Sequence, residues 1–253
     1  MQFKFLPEIT IEEAVKKALQ LKEFNGIGTY GERLLHSVLK MYFCPDEKCH
    51  EVNYKGFVAD IFIDKSRPLI IEIQTRQLFK LQRKLKIYGE DADIVIVFPI
   101  FAEKKTAWID PENGNVTKLR RSPKKRNQYS AFRELYGIKK YLMQKNISVC
   151  LPLISCEEYR WLDGWSEDRK KGAHRAQVVP LEVLDMVILN ERKDYLRFLP
   201  DKFEINFTAE EYSKVVKISL PEARCCFNIL SEAGVICECG KQGRKKLWKR
   251  TGL

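Results

Sequence analysis

The chain has 253 residues, of which 45% are hydrophobic and 31% charged, proportions typical of a folded globular protein and not of a disordered one. The formal net charge of +11 favours a polyanionic partner, either nucleic acid or an acidic membrane surface, but a generally basic, solvated surface would give the same charge. The amino terminus lacks the apolar core of a signal peptide, and the longest apolar run, residues 94–102, is too short to cross a bilayer. We therefore expect a cytoplasmic protein with no membrane partner.

Two helices are predicted near the amino terminus. Thr10 and Glu13 have the spacing of a capping box and precede apolar residues at helical intervals. A second helix is predicted over residues 30–42, where apolar residues recur every three or four positions. Glu32 lies on or beside that apolar face, where a carboxylate needs a partner or a function, unless it is simply an acid favoured by the helix dipole.

The next segment predicts a β-hairpin over residues 57–74, because two runs rich in β-branched residues flank a turn-forming sequence. An amphipathic helix over residues 77–88 and a buried strand over residues 93–99 follow. This order indicates an α/β protein with a mixed central sheet flanked by helices. Beyond it we expect an edge strand, a helix and a further strand, over residues 106–109, 129–145 and 147–154.

A polar stretch near residues 161–172 suggests a boundary between two domains, 1–165 and 175–253. The second domain is predicted to begin with one long helix over residues 181–199. Thr208 and Glu211 then form a capping box, Pro221 stands early in another helix, and a glycine-rich turn joins two short strands. Helix, turn, helix and hairpin together describe a winged helix-turn-helix.

An acidic pair in the hairpin carries the main chemical prediction. If the turn is centred on Ser66, Asp60 lies opposite Glu72, and Gln74 shares their face. Like charges placed opposite each other among apolar neighbours need a compensating cation, and hard oxygen ligands suit Mg²⁺ or Mn²⁺. Such a metal could activate water, and Gln74 could orient it. An ordinary solvent-facing hairpin explains Glu72 and Gln74 equally well, but explains Asp60 less well because aspartate is a poor strand residue.

The residues Ala59–Asp60, followed by Glu72–Ile73–Gln74, resemble the motif of the PD-(D/E)xK nuclease superfamily, which includes restriction endonucleases, Holliday junction resolvases and repair nucleases. The resemblance implies a restriction-endonuclease-like core, preceded by a helix that carries a glutamate, as Glu32 does here. It also implies metal binding by Asp60, Glu72 and the backbone carbonyl of Ile73. Residues 72–85, 98–105 and 120–126 are similar to a group of uncharacterised bacterial proteins that join such a core to a C-terminal winged helix.

Two positions depart from the superfamily motif. Ala59 replaces the usual proline, which is a common variation. Gln74 replaces the usual lysine, although some active members carry glutamine there and others borrow a lysine from the following helix. Lys84 or Lys80 could fill that role in this chain. Otherwise Gln74 marks a weak or inactive descendant.

Three functions remain open at this stage: a Mg²⁺-dependent DNA endonuclease with Glu32, Asp60, Glu72, Gln74 and Lys84 as catalytic residues, a non-catalytic DNA-binding protein or regulator, and a protein-interaction module. A homodimer is also left open, because two-fold symmetric cleavage would require one. Predicted DNA contacts lie after the motif, in the basic runs and on the winged helix: Arg76, Lys80, Arg121, Lys124, Lys125, Arg224, Asn228, Lys241, Arg244 and Lys245.

Histidine and cysteine give weaker predictions. His36 is interpreted as a polar helix residue and not as a ligand. Cys44, Cys49 and His50 invite a zinc site, but their spacing does not form the usual two ligand pairs, so we expect no zinc there.

Overall fold

A mixed eight-stranded sheet with helices on both faces organises the protein, as the sequence predicts for an α/β fold. The computed structural model describes residues 7–20, 30–123, 125–164, 174–203 and 205–252, with the side chains of residues 30–33 outside that description. The sheet consists of β1 (His50–Tyr54), β2 (Phe57–Ile63), β3 (Leu69–Ile73), β4 (Asp93–Val97), β5 (Ile100–Ile109), β6 (Arg120–Arg121), β7 (Ile147–Trp161) and β8 (Arg175–Leu189).

The first three strands form an antiparallel meander, and β4 then runs parallel to β3. The predicted hairpin and its register are confirmed, because Ile61 pairs with Ile71 and the turn is therefore centred on Ser66. Strand β1, which the sequence patterns did not reveal, pairs with the outer edge of β2. Helix α3 (Gln82–Tyr88), preceded by a 3₁₀ turn at Leu78–Leu81, connects β3 to β4.

Strands β4 and β5 lie end to end along one edge of the long strand β7, and both run parallel to it. Pro99 lies at the break between them and falls opposite Pro152 of β7, where neither residue can donate a backbone hydrogen bond. Beyond this break, β5 and β7 continue past the carboxyl end of β3. The predicted edge strand at residues 106–109 is thus part of a longer, internal strand that β6 borders.

Strand β8 covers the other edge of β7, so the predicted long helix over residues 181–199 is wrong. Strand β8 is rich in valine and contains Pro180. The 15 residues of β7 are available to it as an antiparallel partner. The pairing has three register shifts along its length. Only short helical turns follow, in α5 (Arg192–Tyr195) and at Leu196–Phe198. The predicted helix at residues 129–145 is likewise three short pieces: Gln128–Ala131, α4 (Phe132–Leu135) and Tyr136–Tyr141.

Each face of the sheet has its own hydrophobic core. Helices α1 (Ile11–Gln20) and α2 (Tyr30–Phe43) cover one face, and the predicted Thr10–Glu13 capping box at the start of α1 is confirmed. Helix α3, the short helices and the C-terminal elements cover the other face. No helix among these described elements is long and apolar enough to cross a membrane.

The C-terminal elements are α6 (Ala209–Val216), α7 (Leu220–Glu232) and the hairpin of β9 (Ile236–Gln242) and β10 (Lys245–Arg250), as the sequence patterns predict. Capping boxes at Thr208 and Ser219 begin the two helices. Helix α7 packs against α4, so the C-terminal residues share one continuous core with the sheet. The predicted boundary between residues 165 and 175 lies largely outside the described residues, and the strands on its two sides, β7 and β8, pair in one sheet.

Candidate active site beside strand β3

A cleft of about 600 Å³ opens at the carboxyl end of β3. Helix α2 contributes one wall, and the segment that follows β3 contributes the other. Because α2 lies on one face of the sheet and α3 on the other, side chains from both faces can meet where β3 ends. The lining residues are His36, Ser37, Lys40, Glu51, Ile73, Gln74, Thr75, Arg76, Gln77 and Lys80.

Asp60 is held against β3 by a backbone hydrogen bond. The pairing of β2 with β3 extends from Ile63 back to Ile61, and beyond that pair the Ile73 N–H donates to Asp60 Oδ2 at 2.7 Å. The Asp60 carboxylate therefore replaces the backbone carbonyl that would accept the next hydrogen bond between the two strands. It does so at the point where β2 and β3 stop pairing. An aspartate in mid-strand, which propensity alone disfavours, has a specific partner here.

His36 contacts two of the three groups that the family resemblance implies as metal ligands, and its interpretation as a polar helix residue and not as a ligand stays a prediction. Its Nε2 lies 3.0 Å from the Ile73 carbonyl oxygen and 3.3 Å from Asp60 Oδ2. Because a carbonyl oxygen only accepts hydrogen bonds, Nε2 must carry a proton in this arrangement. A sequence signal existed, since His36 lies one helical turn after Glu32, but the docking of α2 against the end of β3 was needed to interpret it.

Glu72 is 1% exposed and is paired with Lys84 of α3. Lys84 Nζ lies 3.0 Å and 2.7 Å from the two oxygens of Glu72, and it also donates to the Val58 carbonyl oxygen at 2.7 Å. The structure thus brings Lys84, and not Lys80, to the carboxylate. Lys80 is exposed and lines the cleft instead.

The two carboxyl groups have opposite pKa shifts. Burial raises the pKa of Glu72 to about 7, and the nearby charge of Asp60 adds to this, against the attraction of Lys84. Burial also opposes ionisation of Asp60, but its interactions with His36 and the Ile73 N–H outweigh that effect and lower its pKa. Burial opposes the charged form of His36, but its hydrogen bond and attraction to Asp60 outweigh the effect of burial. The pKa of His36 is therefore raised.

Gln74 does not point at the carboxylates. Its Nε2 donates to the Arg76 carbonyl oxygen at 2.7 Å, while its backbone N–H donates to Val97. Arg76 is exposed and lines the cleft. The predicted water-orienting role of Gln74 would therefore require a side-chain rotation.

The oxygens of Asp60, Glu72 and Ile73 fit a hard divalent cation in chemical type, because Mg²⁺ binds through one or two carboxylates and keeps several waters or phosphate oxygens. Within the part of the chain that the structure describes, no group of three histidine, cysteine or acidic side chains is placed to hold a metal ion. The predicted set contains two carboxylates and a carbonyl, and both oxygens of Glu72 face Lys84. The Glu32 side chain lies outside the described side chains.

A second cleft, of about 410 Å³, lies between α7 and the β9–β10 hairpin. It contains several of the predicted DNA contacts: Arg224, Asn228, Arg244 and Lys245. The Lys245 ammonium lies 3.8 Å from Glu210, and Asn228 donates to the Arg224 carbonyl oxygen within α7. Lys241 is exposed on β9.

The described basic residues of the run 118–126 are exposed, and β6 borders β5. Arg121 lies in β6 and is ion-paired with Glu103 at 2.8 Å, and Lys125 is exposed. Lys124 lies outside the described residues. These residues are remote in sequence from both clefts, and neither cleft includes them.

The chain belongs to the family of the domain of unknown function DUF8091, whose profile matches residues 33–190 and therefore more than half of the chain. The match begins in α2 and ends one residue after β8, so it contains the whole eight-stranded sheet. The chain is also similar to a protein of Treponema pallidum (strain Nichols) named only as an uncharacterized protein, with 25% identity over 231 residues that cover 88% of this chain and 87% of the relative. No solved structure matches it.

Proposed function

We propose that this protein is a divalent-metal-dependent deoxyribonuclease whose active site is the end of β3 that borders this cleft. The observation that carries the proposal is the convergence of Asp60, Glu72, Lys84 and the Ile73 carbonyl at one end of the β2–β3 hairpin. Two neighbouring acidic side chains, one of them buried, are costly in a hairpin even with Lys84 and His36 beside them, and this arrangement has a catalytic use in phosphodiester hydrolysis.

The order of elements supports a nuclease-like core. Helix α2, the β1–β2–β3 meander, helix α3 and the parallel strand β4 follow one another, with both carboxylates on the meander and Lys84 on the connecting helix. In a restriction-endonuclease-like core, these positions hold the motif, so the resemblance and the topology agree. The net charge of +11 favours a nucleic acid as the substrate.

Mg²⁺ or Mn²⁺ bound by Asp60, Glu72 and the Ile73 carbonyl would supply a polarised phosphate oxygen and an activated water. Lys84 holds the Glu72 side chain from the α3 side and would remain beside the reacting phosphate as a fixed positive charge. His36 contacts the Asp60 carboxylate and the Ile73 carbonyl, so it would position both groups. Arg76 and Lys80, which line the cleft, would contact neighbouring phosphates.

The C-terminal elements support a second, targeting role. Two capped helices followed by a two-stranded hairpin agree with a winged helix-turn-helix. In that arrangement, Arg224 and Asn228 are exposed one turn apart on α7, where a recognition helix carries its base contacts. Lys241, Arg244 and Lys245 of the hairpin would contact the backbone.

A catalytically inactive DNA-binding protein or regulator is the second candidate. The observation that favours it is Gln74, which stands at the usual lysine position and is turned towards the Arg76 carbonyl. This candidate shares every DNA contact with the first and differs only in metal-dependent chemistry.

The test compares cleavage of supercoiled plasmid, branched DNA and single-stranded DNA in Mg²⁺, Mn²⁺, Ca²⁺ and EDTA. We expect cleavage in Mg²⁺ or Mn²⁺ and none in EDTA. Asp60→Asn and Glu72→Gln should reduce the rate by at least about 10²-fold, because both remove metal ligands. Asp64→Asn is the matched control, since Asp64 is exposed in the turn of the same hairpin.

Metal binding is measured separately by titration with Mn²⁺ and detection by electron paramagnetic resonance. Asp60→Asn should weaken Mn²⁺ binding by about tenfold or more, and Asp64→Asn should not. DNA binding without cleavage in any metal would support the second candidate and contradict the first.

A further inference from the structure

A second cluster of charges lies on the part of the sheet that extends beyond the cleft. Glu158 of β7 is 1% exposed and accepts from three cations on three strands. Lys104 Nζ of β5 lies 2.5 Å from Glu158 Oε2, and Arg160 Nη2 of β7 and Arg175 Nε of β8 lie 3.1 and 2.8 Å from Oε1.

Strand register adds a fourth cation to the same face. Arg120 of β6 pairs with Thr106 of β5, and Thr106 pairs with Glu158, so all three residues lie in one row across the sheet. Paired residues project to the same face, and Arg120 is exposed with no acidic partner among the described residues. We call Lys104, Arg120, Arg160 and Arg175 the β5–β8 basic strip.

One carboxylate cannot neutralise four cations. The ion pairs keep Glu158 charged, since burial opposes its ionisation but the cations lower its pKa to about 2. The strip with Glu158 therefore has an excess of three positive charges. The guanidinium of Arg160 also lies 6.0 Å from the centre of the Trp108 ring, which restricts its orientation. A purely structural ion pair would need one or two cations, and the excess favours binding of a polyanion.

The strip lies on the face that α2 covers, and α2 also lines the cleft. Val97 is level with Ile73 in the sheet, and Lys104 follows seven residues later in nearly continuous strand. At about 3.3 Å per residue, the strip lies roughly 23 Å from the cleft along the strands, which is about two-thirds of a turn of duplex DNA. A rigid duplex that enters the cleft can therefore reach the strip.

We propose that the β5–β8 basic strip binds the phosphate backbone of duplex DNA and that Glu158 is a positioning residue, which holds Lys104, Arg160 and Arg175 in place. This inference rests on the proposed function, because it assigns a second contact for the same substrate. It differs from the predicted contacts at Arg121 and Lys125, which do not belong to this row.

The experiment measures binding of the full chain to a fluorescein-labelled duplex of about 30 base pairs, by anisotropy in EDTA over a series of KCl concentrations. The double variant Arg120→Gln with Arg175→Gln should bind about tenfold more weakly and should lower the slope of log affinity against log salt by about 2. Lys104 and Arg160 still compensate Glu158 in that variant, so we expect the fold to persist. Lys86→Gln with Lys105→Gln is the control, because it removes two exposed cations outside the strip.

Glu158→Gln separates an ordered site from a diffuse basic patch. The substitution makes the strip more positive, so a diffuse patch would bind DNA more tightly, whereas a positioned strip should bind several-fold more weakly. The thermal unfolding midpoint of each variant identifies losses that come from misfolding. The inference is overturned if the wild-type chain does not bind the duplex, if the double variant binds like its control, or if Glu158→Gln binds more tightly.

A cleavage assay of the same proteins in Mg²⁺ and Mn²⁺ separates this inference from the proposed function. If DNA binding depends on the strip but no cleavage occurs, the proposed nuclease chemistry is contradicted and the inference about the strip is supported. If the strip variants cleave DNA as fast as wild type at low protein concentration, the inference about the strip is contradicted and the proposed nuclease function is supported.

Discussion

The buried carboxyl of Glu72 should make the stability of the protein depend on pH. An acid whose pKa is raised from 4.5 to about 7 on folding remains protonated in the folded state while it is ionised in the unfolded state. The stability from this protonation is complete below pH 4.5 and is lost as the pH rises through about 7. We expect wild type to lose about 3 kcal/mol of unfolding free energy relative to Glu72→Gln over that interval.

Urea denaturation of both proteins at several pH values measures this difference. Asp64→Asn, which alters an exposed carboxyl in the same hairpin, should follow wild type. A constant difference between Glu72→Gln and wild type from pH 4.5 to 7 would show that folding does not raise the pKa of Glu72.

The imidazole of His36 reports on the same site. Because the interaction with Asp60 raises its pKa against the effect of burial, Asp60→Asn should lower the pKa of His36. The measurement is a nuclear magnetic resonance titration of the three histidines. His50 serves as an internal reference, since its Nε2 contacts the Cys44 carbonyl oxygen. An unchanged His36 titration in Asp60→Asn would contradict the observed contact.

Single residues of the site were predictable to different degrees. Asp60 and Glu72 were predictable because the hairpin turn fixes which residues lie opposite each other, and the register is as expected. The helix after the motif offered Lys84 and Lys80 as alternatives, and only the packing of α3 places Lys84 at Glu72. His36 was missed because its role depends on how α2 docks against β3, and local sequence does not encode that docking.

At the scale of elements, the close approach of two short helical segments supports the cleft. A Cβ added at Gly137 would lie 2.9 Å from Phe79 Cβ and 3.2 Å from the Phe79 backbone nitrogen. Phe79 precedes Lys80, which lines the cleft. We therefore expect Gly137→Ala to destabilise the protein by about 1–3 kcal/mol and to weaken the proposed DNA contact of Lys80.

Chemical denaturation and the anisotropy assay check both effects. Gly252→Ala is the control, because nothing lies within 4 Å of the added Cβ. Equal stability of the two alanine variants would mean that the two segments can move apart without cost.

The elements themselves were predictable where a local signal exists. Capping residues revealed α1, α6 and α7, and β-branched runs revealed β2, β3 and β4. Strand β8 was mistaken for a helix because its apolar spacing fits both periods, and only its antiparallel partner β7 decides between them. Strand β1 was missed because it is short, polar and half-exposed, so its pairing with β2 determines it.

At the scale of the whole molecule, one core connects the sheet to the C-terminal helices. The cluster that contains Ala59 and Ile70 also contains Phe227 and Leu230 of α7. We expect unfolding in urea to occur in a single transition, because neither part can keep that core alone. Far-ultraviolet circular dichroism and tryptophan fluorescence should give coincident curves.

Trp248→Phe provides the matched measurement, since it removes the tryptophan of β10 and leaves the fluorescence of Trp108 and Trp161 in the sheet and of Trp165. Its fluorescence curve should also coincide with its dichroism curve. Two separate transitions would indicate that the C-terminal elements fold as an independent domain.

The irregular pairing of β7 with β8 has a consequence for self-association. Among the described strands, β8 pairs only with β7, and its other edge therefore presents unpaired backbone groups over a long segment. Such edges template aggregation between copies when they are flat and regular. The three register shifts and Pro180 make this edge neither flat nor continuous, and Glu182 and Asp185 add charge to it. Edge-to-edge joining of two copies into one continuous sheet is therefore disfavoured at β8.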